Sequence, residues 1–231
     1  DYTETMGEKI PFVVRLKDML SGKLGSLYDF NVMVEFDDAD ALKDPANMKR
    51  IEQLEQKLGT LQLTKISGDK PRVQSVTRLV KEMNRTLNAD SIEYYKIPDA
   101  QDMLTQLLFL YEISDPDALF ERMDEEYKTT FIHIELSGYD ANKIVEDLDS
   151  ANAYAARIFP DAKTSVVGEV VNYAEMNGKL VGGLLRSFSG SFVIIAIMMI
   201  LAFGSIKAGL IGMIPNVAPV LLIGGIMGYS G

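Results

Sequence analysis

The feature that most constrains this chain is the point at which its acids stop. The last acidic residue is Glu175, and only three basic residues follow it: Lys179, Arg186 and Lys207. Within that stretch, residues 192–203 carry no polar side chain. A helix needs about 20 mostly apolar residues to cross the hydrocarbon core of a bilayer. Residues 184–203 meet that length, with Arg186 near the start, where its long stem can snorkel to the interface. The competing reading is a buried core helix, for which a polar domain of this size has little room. A second apolar stretch, residues 208–227, follows a link of only four residues, Gly204-Ser205-Ile206-Lys207. So short a link predicts two antiparallel transmembrane helices. Lys207, alone in that hairpin, points to its cytoplasmic side.

The rest of the chain is opposite in character. All 33 Asp and Glu, and 20 of the 23 Lys and Arg, lie in residues 1–175, giving that part a net charge of −13. Such a surface repels phosphate backbones, so nucleic acid is not an expected partner. The absence of Cys excludes a disulfide framework, a thiol nucleophile and zinc-cysteine sites. A single His excludes multi-His metal centres. No catalytic, cofactor-binding or metal-binding residue is expected. The division expected is a polar extracytoplasmic domain over residues 1–175, a connecting and transmembrane helix over 176–206, and a second transmembrane helix over 207–231. Because the chain starts without a signal peptide and stops just past a span, it reads as a fragment of a larger protein.

The second span contains Pro215, Asn216 and Pro219. Proline removes a backbone donor, and lipid offers no replacement partner, so a bend against other helices is expected there. Asn216 at membrane depth is expected to face a neighbouring helix. Gly209, Gly212, Gly224, Gly225 and Gly228 suit close helix packing.

In the polar domain, the spacing predicts an entry helix over residues 9–24. Tyr28, Phe30, Val32, Val34 and Phe36 then alternate with polar residues and Met33, the period of a half-buried strand. Asp37, Asp38 and Asp40 lack the Gly and distal Glu of a calcium loop and read as a solvated turn. Asp44-Pro45 opens a helix bearing Met48, Ile51, Leu54 and Leu58, closed by Gly59. A second strand falls at residues 61–66 or 73–75. Ser75 caps the next helix, Ile97-Pro98-Asp99 starts another, and Asp115-Pro116 a short one. Residues 129–136 alternate again, with His133 on the wetter face beside Phe131 and Glu135. A His-Glu pair can serve acid/base chemistry, but no nucleophile accompanies it. Residues 140–158 read as a helix and 163–168 as a last strand. From Glu169 a helix runs toward the membrane, with Gly178, Gly182 and Gly183 as expected bending points. The class is α+β, and the order strand-helix-strand, helical insertion, strand-helix-strand fits a ferredoxin-like split sheet.

The run from Leu201 to Gly231 resembles the RND superfamily of exporters, in particular the lipid and hydrophobe branch related to MMPL proteins. The resemblance rests on Phe203/Ser205, Gly209-Leu210, the Ile-Pro-Asn-x-x-Pro motif from Ile214 to Pro219, and Gly225 to Gly228. Where such proteins often carry Arg before that Ser, this chain has Gly204. Lys43-Asp44-Pro45, Val73-x-Ser75-Val76, Met83-Asn84 and Ile97-Pro98-Asp99 are similar to the periplasmic loop of the same family.

The resemblance implies a periplasmic porter domain followed by two transmembrane helices of an inner-membrane transporter in a bacterial or archaeal cell. Its transport of hydrophobic or amphiphilic, lipid-like cargo is driven by the proton gradient. It further implies partnership with the remaining transmembrane helices and a homo-oligomeric option. The proton-relay acids of such transporters lie in a later helix, and residues 176–231 hold none. The alternative is a membrane-anchored periplasmic sensing domain of a receptor, disfavoured because the chain returns to the membrane after four residues.

Overall fold

The computed structural model describes residues 10–15 and 25–230. Residues 11–15 are helical, and the rest of the expected entry helix lies outside the described residues. The chain divides into two units, Asp1–Ala174 and Glu175–Gly231.

The first unit is α+β. Strand β1 (Asp29–Glu35) leads to helix α1 (Pro45–Leu58), a small hairpin of β2 (Ile66–Ser67) and β3 (Lys70–Pro71), and strand β4 (Val73–Gln74). Helices α2 (Val76–Leu87), α3 (Gln101–Ser114) and α4 (Pro116–Phe120) form the insertion. Strand β5 (Thr129–Glu135), helix α5 (Ala141–Ile158) and strand β6 (Lys163–Val167) follow. The main sheet has the order β4-β5-β1-β6, with every neighbouring pair antiparallel. Of the two positions open to the second strand, residues 73–74 join this sheet; residues 66–67 form the separate hairpin.

Alternation decides which face is covered. Phe30, Val32 and Val34 of β1 and Ile132 and Ile134 of β5 are buried, while their chain neighbours are only partly so, except Glu135, which is buried at the end of β5. They share one core with Met48, Ile51, Leu54 and Leu58 of α1 and with Ile144, Leu148, Ala151 and Ala155 of α5. Each fully buried aliphatic side chain contributes about 1.5–3 kcal/mol relative to exposure. Two polar ties, the first of them buried, fix how the helices lie. Asp147 of α5 accepts backbone N–H bonds from Gln62 (3.0 Å) and Leu63 (2.8 Å). Arg50 of α1 donates to the Ile158 carbonyl (2.8 and 3.1 Å), forks onto the Asp161 carboxylate and stacks 4.5 Å above the Phe159 ring.

Helix starts largely follow their caps. Asp44 accepts from the Ala46 N–H (2.8 Å), Ser75 from that of Thr77 (3.2 Å), and Asp140 from those of Asn142 and Lys143. One expectation needs correction. Helix α3 begins at Gln101 rather than at Asp99, because the Asp99 carboxylate is turned to the Lys49 ammonium of α1. Gly59 closes α1 without the left-handed conformation usual at such glycines (φ −64°). It is needed for space: a Cβ there would lie 2.9 Å from Pro71 Cγ of the hairpin.

Two helical stretches are long and apolar enough to cross a membrane, Glu169–Phe203 and Ile206–Ile226. The first, α6 (Glu169–Phe203), begins in the polar unit and is continuous over 35 residues. Gly178, Gly182 and Gly183, expected as bending points, lie inside it without a break. Glycine weakens a helix by about 1 kcal/mol relative to Ala, too little to interrupt so long a hydrogen-bonded ladder.

The second apolar stretch is not one helix kinked at its prolines. It is α7 (Ile206–Gly212) followed by α8 (Ile214–Ser230), with the break at Met213. Pro215 has no N–H to offer upstream and disfavours helix at the residue before it. The ladder therefore stops ahead of it, and Pro215 occupies the first turn of the new helix, where proline is tolerated. The Met213 carbonyl takes the N–H groups of Asn216 and Val217, both at 3.0 Å. Pro219 lies inside α8, which continues past it.

Candidate functional site

The apolar hairpin is the first candidate. Gly204 takes a left-handed conformation (φ 63°), which lets the chain turn immediately after α6. Ser205 then caps α7, its Oγ accepting from the Ala208 N–H at 3.4 Å. Lys207 is exposed in the first turn of α7. Gly209 is buried, and a Cβ on it would lie within 2.7 Å of the Ile200 backbone. Gly212 lies against Met199 and Phe203 in the same way. These two glycines let α7 fold back onto α6.

The expected antiparallel pairing does not extend along α8. Val220, Leu221, Leu222 and Ile223 are all exposed, at 43%, 69%, 64% and 59%. Four successive helical residues sweep about 300°, so no face of α8 is covered there. Pro215, Asn216 and Pro219 are likewise exposed. Among the described residues, no atom of another element lies within 4 Å of a Cβ position on Gly225. Gly228 falls within α8. The motif residues share one helix and its first turn but form no enclosed site among themselves.

The second candidate is the uncovered face of the main sheet. Register puts Met33 opposite Phe131 and Asn31 opposite His133 across β1 and β5. His133 Nδ1 lies 3.1 Å from Asn31 Oδ1. Asn31, Phe131 and His133, with Gln74, Arg122 and Glu135, border a cleft of about 370 Å³. Arg122 is spoken for: its Nη1 donates to the Ala118 carbonyl (2.7 Å) and to Glu121 (2.9 Å). Glu135 is buried, and its Oε2 has no hydrogen bond; Arg72 Nε is 3.8 Å away and equally without one. The wetter placement of His133 and Phe131 follows from alternation, whereas Glu135, expected beside them, is buried at the end of β5. The Asn31–His133 contact and the Glu135–Arg72 pair do not follow from alternation, since both depend on strand register and on which strand becomes the neighbour.

Chemically this face offers hydrogen bonds and an aromatic surface. Among the described residues that line the cleft with His133 there is no Ser, Thr or Cys. Among the described residues no cluster of three or more His, Asp or Glu is arranged to hold a metal ion. Elsewhere in the domain, burial and the hydrogen bond to Glu112 (2.6 Å) push the Tyr127 hydroxyl well above its ordinary pKa, so it stays a neutral donor. No protein-family model matches this chain, and no curated protein matches it.

Proposed function

We propose that the chain is part of a proton-gradient-driven, RND-type exporter of hydrophobic or amphiphilic molecules, with residues 1–175 as its extracytoplasmic porter domain. The observation that carries this reading is the apolar hairpin. Its two helices expose aliphatic side chains around their circumference, turn back through Gly204 and Ser205, and close on each other at Gly209. Helices of that kind need lipid or further helices around them. A core helix would be covered, and neither stretch is.

The polar domain supports the same reading. Two strand-helix-strand units with the order β4-β5-β1-β6 favour a ferredoxin-like porter architecture. The open sheet face, with Phe131 and Met33 side by side, suits contact with an amphiphile or with a neighbouring subdomain. Proton coupling then belongs to helices other than these two.

The test is transport by the whole gene product in a host lacking its own hydrophobe exporters. Cells expressing it should retain less of a lipophilic fluorescent dye than empty cells, and a protonophore should abolish the difference. Equal retention across a panel of lipophilic dyes and lipids would count against export. Orientation can be tested separately, because the native chain has no Cys. A membrane-impermeant maleimide should label Ser67→Cys in intact spheroplasts and Lys207→Cys only after permeabilisation. The reverse pattern would sink the extracytoplasmic assignment.

A further inference from the structure

The polar domain is strongly acidic, yet one of its clefts is walled by cations. It measures about 420 Å³ and lies where the β2–β3 hairpin meets α1 and α2. Lys70, Arg72, Arg78 and Lys81 line it, with Tyr95 at one side. Three carboxylates reach the same cleft, and each is already engaged. Glu52 pairs with Lys81 at 2.8 Å, and Glu82 with Arg85 at 2.9 Å. Glu55 Oε2 accepts from two buried hydroxyls, Ser75 Oγ (2.9 Å) and Thr77 Oγ1 (2.6 Å).

The cations are not matched in the same way. Among the described residues, no carboxylate lies within ion-pair distance of Lys70 or Arg78. Arg72 Nε is buried without a hydrogen bond, and its ion pair with Glu135 is long, at 3.8 Å. A buried guanidinium nitrogen without a hydrogen bond is costly, and a well-placed anion relieves that cost. The three cations come from different elements: Lys70 from β3, Arg72, whose one ion pair is long, from the link to β4, and Arg78 from the first turn of α2. An anion with several oxygens can meet all three, and guanidinium groups favour forked contact with phosphate. The Tyr95 ring offers a surface for the organic part of an ester.

We infer that this cleft binds a phosphate-bearing ligand, through Lys70, Arg72 and Arg78. The cleft lies wholly within the polar domain and would bind whether or not the chain belongs to an exporter.

The test is calorimetric titration of the full chain in a nonionic detergent. Three probes are used: inorganic phosphate, glycerol phosphate, and a short-chain phosphatidic acid. Saturable binding is expected. Arg78→Gln and Lys70→Gln should each weaken it roughly tenfold, the loss of one charge-assisted hydrogen bond. Lys143→Gln, which removes an exposed cation on α5, should leave it within about twofold. Saturation by all three probes identifies phosphate itself as the determinant, and saturation by the lipid alone identifies a headgroup site. Absence of saturable binding, equal weakening by the Lys143 control, or indifference to both cleft variants would overturn the inference. Both cleft residues are exposed, so the variants should fold, and unchanged circular dichroism checks this.

Discussion

The two units of this chain use the same aliphatic residues to opposite ends. In the polar domain, Ile51, Leu54, Val32 and Ile132 have no exposed surface. In the apolar hairpin, Leu221, Leu222 and Ile223 are more than half exposed, and so are Ile194 and Met198 of α6. The first set is satisfied within the fold; the second needs an environment that the chain does not itself supply. Amphipathic period separates the two cases. Strand β1 and helix α1 alternate between buried and wet positions, whereas α8 is apolar all round and has no inner side.

The sharpest way to break that contrast is truncation in each region. Phe30→Ala should destabilise the polar domain by about 3–5 kcal/mol, the usual cost of a large cavity, read as a shift in its urea midpoint. Leu222→Ala should leave that midpoint unchanged within about 0.5 kcal/mol. A comparable shift from both would mean that α8 packs into the polar core after all. The second comparison inverts the first. Leu222→Lys should disfavour membrane insertion by about 3 kcal/mol, seen as a smaller membrane-retained fraction. Ile66→Lys, at an exposed position of β2, should change neither retention nor folding. Equal retention of the Leu222 variant would deny α8 a lipid environment.

Much of this was legible in the sequence. Alternation in β1 and β5 and the caps Asp44 and Ser75 identified their elements, because each signal is local. The break at Met213 was not legible, because Pro215 is as compatible with a first turn as with a kink. The unbroken course of α6 through three glycines was likewise not legible, since a helix penalty is a sum and no single residue decides it. The Glu135–Arg72 pair and the cation-lined cleft were hidden for a further reason. They unite residues from elements far apart in sequence, and only the sheet order and the hairpin bring them together.

Two smaller effects sharpen the account of the polar domain. Asp147→Ala should cost about 2 kcal/mol by leaving the Gln62 and Leu63 N–H groups without an acceptor, measured by denaturation at neutral pH. No loss would mean that water replaces the carboxylate. The smallest effect concerns acid. The hydrogen bond and charge of Arg50 hold the Asp161 carboxyl below its ordinary pKa. The folded state therefore gains stability above the unfolded value of about 4, and loses it as pH falls through the lowered folded value. Because Asp161 is 59% exposed, solvent screening keeps this gain small. Asp161→Asn should flatten the acid limb of stability against pH slightly, and an unchanged limb would show the pair to be energetically silent.

One glycine carries a consequence for variation. Gly168, between β6 and α6, has φ +147°, and a Cβ on it would lie 3.1 Å from the Phe30 backbone. The residues just after it are anchored, with Val170 buried in the core. Gly178, Gly182, Gly183 and Gly190, further along the same helix, have open space where a side chain would go. Among natural variants, position 168 should thus read as glycine without exception. The four helical glycines should drift freely unless a neighbour outside this chain holds them, which makes their drift a readout of whether such a neighbour exists.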